Sequence, residues 1–428
     1  VLPIPCFEHD FIEYPWSDRQ IAGLERLNSI YEKEVLKISI RNGKIAVKAT
    51  QYVGMFRVGD LTIQVLPKMY RAGDGNPRET ATRNFFYLLE YMDLGGVKFD
   101  NTGELLAGKL DWFEILTRVF ATELQKQWNR GAYRTYQSIE ELSPVLKGKW
   151  RLSEQFRRPA RKHLFYIEHD EFTADNPLNR VFRFTIERLW NRTTDPRNRR
   201  VLSELRQDTG EVTLLPSVTL AMVDFIPITR LNQSFEMLRN LARVFLANES
   251  LQLETGGVET FAFCFDMNRV FENFVTEFII QNRYEVLPDS LQDCELIPQA
   301  VKHAHCLARN QHGNSVFKLK PDLVFHRRQE YPIVLDVKYK TLDSEERDLN
   351  VSSNDFYQMF AYVHRYHCPL AIVVYPRPIE VGKSIEECFR IVGTDKRVKV
   401  GSIDLGIDLQ DPSSRKDLIQ QFKTLFQE

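Results

Sequence analysis

Cysteine is scarce in this chain and patternless. Its six cysteines stand at positions 6, 264, 294, 306, 368 and 388 of 428, with no Cys-x-x-Cys pair and no regular interval. That excludes a disulfide-built fold and a thiolate metal cage, and it suits a reducing compartment, so a cytoplasmic location is expected. No apolar run approaches the roughly 18 residues that span a bilayer, and Val1 to Asp10 lack the basic and apolar regions of a secretory signal. No membrane is expected as a partner. A phosphate-binding loop is missing as well: Gly382-Lys383-Ser384 has its ending, but Arg377 stands where the first glycine belongs, between Pro376 and Pro378. Any nucleotide hydrolysis must come from another chain. No Gly-x-Ser-x-Gly nucleophile elbow occurs either, and the net charge of −1 says nothing about partners. Its distribution says more, because residues 147–200 hold 14 Lys and Arg against 7 Asp and Glu. One segment is therefore suited to an anionic partner.

What is present is ample core material. With 43% hydrophobic residues, 29 of them Phe, and 428 residues in all, the chain fits two or three globular domains. Residues 1–75 read as a small mixed α/β unit: an amphipathic helix opening at Ser17 or Asp18, then strands at 36–40, 45–49, 53–58 and 61–66. The cluster from Ala72 to Pro77 marks a linker. Residues 76–255 read as mainly helical, with helices at 80–92, 110–128, 176–190, about 198–207 and 231–248, and a long β-hairpin over 148–172. Asn176 is placed as an N-cap with Pro177 at the first helical position. The hairpin's tip is cationic through Arg157, Arg158, Arg161 and Lys162, which makes these four the candidates for contact with a partner protein or DNA. Leu251 to Gly257 marks the next boundary. Residues 256–428 then alternate helix (265–282), strands (293–299, 316–325, 332–339), helix (352–366) and strands (370–375, 387–393, 399–405), an α/β segment with a mixed sheet.

The chemistry concentrates in that last segment. Lys320-Pro321-Asp322 is followed, after 13 residues, by Asp336-Val337-Lys338 at the end of the apolar run Ile333 to Leu335. Alternation along the strand puts Asp336 and Lys338 on one face, and a hairpin would bring Asp322 beside them. Two carboxylates at a sheet edge form an oxygen-rich site for Mg²⁺, or Mn²⁺, with the Val337 carbonyl as a third ligand. Lys338 would then orient a water or stabilise developing charge. Taken alone, the same pattern also describes a surface Asp and a strand-end salt bridge. Two flanking features favour the first description: Glu272 lies on the flank of the 265–282 helix, within reach of such a metal, and Gln358 and Tyr362 share a helix face beside the motif. His303, His305, Cys306 and His312 match no zinc spacing and read as ordinary loop residues.

These residues resemble the PD-(D/E)XK nuclease pattern, without the cysteine cluster of its iron–sulfur branch. Together with Tyr357-Gln358 and the stretches Asn84 to Tyr91, Leu146 to Leu152 and Phe172 to Arg180, they make residues 80–428 resemble the McrC family, the nuclease subunit of McrBC-type modification-dependent restriction systems. The resemblance implies a restriction-endonuclease-like domain at 256–428 that hydrolyses DNA with Mg²⁺. It also implies a McrB-like AAA+ GTPase hexamer as partner, double-stranded DNA as substrate, and GTP used only through that partner. Two other readings stay open: a stand-alone RecB-type nuclease, and a chain acting mainly as scaffold and activator of the ring.

Overall fold

The computed structural model describes residues 3–31, 33–41, 43–92, 111–157, 163–248, 260–300, 304–343, 346, 348–379 and 384–427. It is a mixed α/β protein of two compact units, residues 1–109 with 250–428, and residues 110–249. This cut differs from the expected division at 75 and 255. The two ends of the chain form one unit, and the middle is inserted between them.

Strand pairing explains the difference. In the first unit β1 (Ile4–Phe7) runs parallel to β6 (Leu61–Leu66), which pairs with β5 (Tyr52–Val58). The other edge of β5 takes β10 (Thr260–Asp266) through seven antiparallel pairs. Six of the seven β10 residues are buried, and at Gly54 any Cβ would lie 2.2 Å from the Phe263 carbonyl oxygen. The backbone groups of a sheet edge carry no residue code, so a partner some two hundred residues away leaves no mark in a local pattern. A separate three-stranded sheet orders β2 (Phe11–Ile12), β4 (Lys44–Ala49) and β3 (Leu36–Arg41). The helix Asp18–Tyr31 starts with Ser17 accepting from the Gln20 N–H at 3.3 Å.

The Ala72 to Pro77 stretch is no domain linker. The helix after it, Pro77–Leu89, belongs to the same unit, and buried Asn84 is the reason. Its Nδ2 donates to the carbonyls of Met69, Leu405 and Ile407 (3.2, 2.8 and 2.7 Å), and its Oδ1 accepts from the Leu409 N–H at 3.0 Å. Beside it an aromatic core joins this helix to Met267–Gln281 and Pro412–Leu425, with Phe278 stacked on Phe422 at 4.5 Å and Tyr91 edge-on to Phe274 at 5.2 Å. The helix Pro412–Leu425 had no counterpart among the sequence expectations.

The largest sheet has the order β11 (Glu295–Pro298), β14 (Leu323–His326), β15 (Ile333–Val337), β16 (Leu370–Pro376), β18 (Arg397–Ile403), β17 (Glu386–Arg390). The pairs β15 to β16 and β16 to β18 are parallel and the others antiparallel, so the expected mixed sheet is present. The helix Ser353–Arg365 makes the crossover from β15 to β16. The expected strand 316–325 is broken. β13 (Ser315–Lys318) pairs instead with β12 (Cys306–Arg309), and the main sheet resumes only at Leu323. Pro321 has no N–H for a ladder, and the break leaves Asp322 at the mouth of β14.

The second unit packs the helices Trp112–Arg130, Pro177–Arg192, Pro196–Asp208 and Glu236–Asn248 around Phe113, Phe120, Phe182 and Phe245. The Asn176 cap is present, its side chain accepting from the Asn179 N–H at 3.1 Å. Buried Glu114 accepts from Thr193 Oγ1 (2.5 Å), the Thr194 N–H (2.6 Å) and Asn198 Nδ2 (2.8 Å), which fixes the start of the Pro196–Asp208 helix. The expected hairpin 148–172 is not formed as such. β9 (Phe165–Thr173) pairs over nine positions with β7 (Thr135–Ser143), while β8 is only Lys149–Trp150, followed by the short helix Leu152–Phe156. The apolar residues of β7 are Tyr136, which faces Phe172 at 5.0 Å, Ile139 and Leu142; their spacing follows no period of two, so the strand carried no alternating apolar signal. Gly148, with φ +69, lets the chain turn where a Cβ would strike the Glu168 carbonyl oxygen.

Candidate active site

Two neighbouring strands and two helices deliver the site. β15 is buried throughout, and at its end Asp336 and Lys338 project to one face, with Lys338 Nζ 2.5 Å from Asp336 Oδ2. Asp322, at the entry to neighbouring β14, turns its Oδ2 onto the Val337 N–H at 2.7 Å. The helix Ser353–Arg365 brings Tyr362, whose hydroxyl donates to Asp336 Oδ1 at 3.3 Å and accepts from Gln358 Nε2 at 2.7 Å. Its N-terminal turn is fixed by Ser352, which accepts from the Asp355 N–H. Asp322, Asp336, Lys338, Gln358 and Tyr362 therefore come together as expected. Val337 joins them through its N–H. Glu272 arrives from the Met267–Gln281 helix and shares a hydrogen bond with the Asp322 carboxyl.

Burial dominates the electrostatics. It pushes the Asp322 carboxyl well above the usual carboxylate range, and the nearby Asp336 and Glu272 carboxyls push the same way. Burial raises Asp336 too, against the opposing pull of the Lys338 ammonium. For Lys338 burial disfavours the charge, yet Asp336, Asp322 and Asp355 outweigh it and hold its pKa above the ordinary lysine value. The result is a charged lysine over two carboxyls that burial, without a bound cation, holds toward their protonated form.

That donor set fits a hard divalent cation. Among the described residues no three His, Cys, Asp or Glu side chains gather into a metal cage. Mg²⁺ does not require one, since it keeps several waters and binds through one or two carboxylates plus phosphate oxygens. Asp322 and Asp336 would hold it, with Glu272 steadied behind Asp322.

Further residues support the site without a sequence signal. Gln299 holds Glu272 through its carboxamide and donates its N–H to the Asp322 carbonyl at 2.9 Å. Lys340 Nζ bonds both oxygens of buried Asp355 (2.9 and 2.8 Å), which also accepts from Tyr375 at 3.2 Å. Tyr339, directly after Lys338, donates to Glu8 Oε1 at 2.6 Å. Of these, only Tyr339 and Lys340 directly follow the Asp336-Val337-Lys338 motif. The remaining candidates fall elsewhere: Arg157 is exposed and paired with Glu154 at 2.9 Å, while Arg158, Arg161 and Lys162 lie outside the described residues. His305 packs against Tyr366 at 4.4 Å; His303, the loop ending in Lys383 and the boundary at 251–257 also lie outside the described residues.

Comparison with known proteins bears on this geometry. A family model described as McrBC 5-methylcytosine restriction system component matches residues 47–376. The chain belongs to the McrBC family. Among solved structures, this McrBC chain is similar to one in the refined half-complex from the tetradecameric assembly of Thermococcus gammatolerans McrB AAA+ hexamers with bound McrC. The TM-score is 0.66 at 20% identity, covering 99% of each chain. A second likeness, to a chain of the cryo-EM structure of the Thermococcus gammatolerans McrBC complex, has a TM-score of 0.50 at 25% identity over 66% of this chain and 88% of that one. No curated protein matches. Among the described residues no helix is long and apolar enough to cross a membrane.

Proposed function

We propose that this chain is the Mg²⁺-dependent DNA endonuclease subunit of a GTP-dependent, modification-dependent restriction system, with a PD-(D/E)XK site. One observation carries the reading: Asp322 and Asp336, delivered by adjacent strands, lie together at the sheet's end under the charged Lys338. Bound Mg²⁺ would polarise the scissile phosphate and lower the pKa of a coordinated water. The residues of the chain do the rest. Asp322 and Asp336 hold the cation, with the Val337 carbonyl as further donor. Tyr362, itself held by Gln358, orients Asp336, and Lys338 stabilises the negative charge that develops on the phosphate oxygens.

Family membership and the likeness to a chain from McrB hexamers with bound McrC support a ring-shaped AAA+ GTPase as partner. GTP is then used by the ring and DNA is cut here. The test reconstitutes the full chain with its genomic neighbour's product on methylated DNA with Mg²⁺ and GTP. Asp336→Ala is expected to abolish cleavage and to leave stimulation of the partner's GTPase intact; full cleavage by that variant refutes the assignment. Cleavage of unmodified DNA by the chain alone would favour the stand-alone reading.

A further inference from the structure

Residues 1–75 contain no chemical motif, yet they wall a cavity beside the candidate site. It measures about 690 Å³ and is lined by Glu8 and Lys68 from the amino-terminal sheets, by Tyr339 and Lys340 just past β15, and by Arg377 just past β16. The size falls within the roughly 300–1,000 Å³ of ligand pockets, and the carboxyl ends of parallel strands are where open α/β sheets bind ligands. Its wall begins at Tyr339, directly after Lys338.

The polar groups of the cavity are unevenly satisfied. Glu8 is 2% exposed, and its Oε1 accepts from both Tyr339 and the Lys68 N–H, at 2.6 and 2.7 Å. Its Oε2 has no hydrogen-bond partner, and the His9 imidazole, with Nε2 at 4.0 Å, is held toward its neutral form by burial and by Lys68 and Lys48. A buried oxygen left in that state is costly unless something completes it. Burial, ahead of the opposing Tyr339 and Lys68 bonds, pushes the Glu8 carboxyl up to about 7, so it is able to donate as well as accept. On the other side Lys340 spends two N–H groups on Asp355 and Lys68 has one ion pair, with Asp10 at 2.8 Å; both side chains are partly exposed (52% and 34%). An ammonium has three donors, so each retains capacity.

We propose that this cavity holds one nucleotide of the DNA strand next to the scissile phosphodiester, its phosphate on Lys68 and Lys340 and its base edge on the free oxygen of Glu8. The inference rests on the nuclease reading and gives the amino-terminal segment its role: it supplies half of a substrate subsite to a strand it is hydrogen bonded to.

The test is fluorescence anisotropy of a fluorescein-labelled DNA duplex with the full chain and no divalent cation. Lys68→Ala is expected to weaken binding roughly 3- to 10-fold and to flatten the salt dependence by about one unit of log–log slope, because one phosphate contact is gone. Glu8→Gln keeps acceptors for Tyr339 and Lys68 and is expected to change affinity several-fold with the slope unaltered. Parent affinity and slope in both variants overturn the proposal. So does competition by a free deoxynucleoside monophosphate in the absence of any loss of duplex binding by the variants, which would make the cavity a mononucleotide site. Cleavage by Asp336→Ala with the partner ring would instead defeat the nuclease reading, and that result is independent of the binding data.

Discussion

Asp322→Asn is expected to make the metal-free protein more stable while destroying its activity. Asp322 is 9% exposed, and burial, with the Asp336 and Glu272 carboxyls beside it, raises its affinity for a proton. The folded state raises the pKa of Asp322, and a group of that kind binds more protons folded than unfolded. Its contribution to stability therefore falls as pH rises from the unfolded value near 4 toward neutrality. Each tenfold change in proton affinity is worth about 1.4 kcal/mol, so the buried Asp322 carboxyl costs the metal-free fold on the order of 1–3 kcal/mol at neutral pH. The asparagine carbonyl keeps the Val337 N–H bond of 2.7 Å, and its amide donates to Glu272 without a shared proton. At about 2–4 °C per kcal/mol, calorimetry at pH 7.5 without divalent ions should show Tm higher by roughly 2–12 °C. Mg²⁺ should then raise the parent's Tm, by about 2.7 kcal/mol of stability at a hundredfold excess over Kd, and leave the variant unmoved. A lower Tm in the metal-free variant, or an equal response of both proteins to Mg²⁺, refutes the reasoning.

Lys338→Met should lower the rate of cleavage by at least about a hundredfold with duplex affinity within a few-fold of the parent, as single-turnover assays would show. Asn84→Ala leaves buried carbonyls at Met69, Leu405 and Ile407 without their donor and should cost about 2–4 kcal/mol, measured by urea unfolding followed at the first unit's tryptophan-poor, tyrosine-rich core. Glu114→Ala strips the acceptor from Thr193, Thr194 and Asn198 and should destabilise the second unit by about 3 kcal/mol or more, read as faster limited proteolysis within residues 110–249. Neutralising Arg157, Arg158, Arg161 and Lys162 together should reduce stimulation of the partner's GTPase; a change confined to DNA affinity and its salt slope would make the tip a phosphate-binding patch.

The legible parts of this protein are those whose signal is local. Asp336 and Lys338 share a face because a strand alternates, and Gln358 and Tyr362 meet because a helix returns every four residues, so both pairs could be placed from spacing. The Asn176 cap with Pro177, the strands at 53–58 and 61–66 and most helix positions belong to the same class. β7 escaped because its exposed, mostly polar faces carry no apolar alternation, and the strand expected over 316–325 overlooked what a proline without an N–H does to a ladder.

The sequence by itself determined the chemical groups, two carboxylates and a lysine at the end of an apolar strand, and the family that carries them. Only the tertiary structure decided what surrounds them. β10 closes the amino-terminal sheet, Asn84 binds carbonyls more than three hundred residues away, Gln299 steadies Glu272, and Glu8 reaches Tyr339. Each of these is hydrogen bonding between segments separated in the chain, through backbone groups in the sheet, an amide and distant carbonyls at Asn84, and side chains at Gln299 and Glu8. Such bonds are specified by where the core brings the chain together, and no local pattern records that.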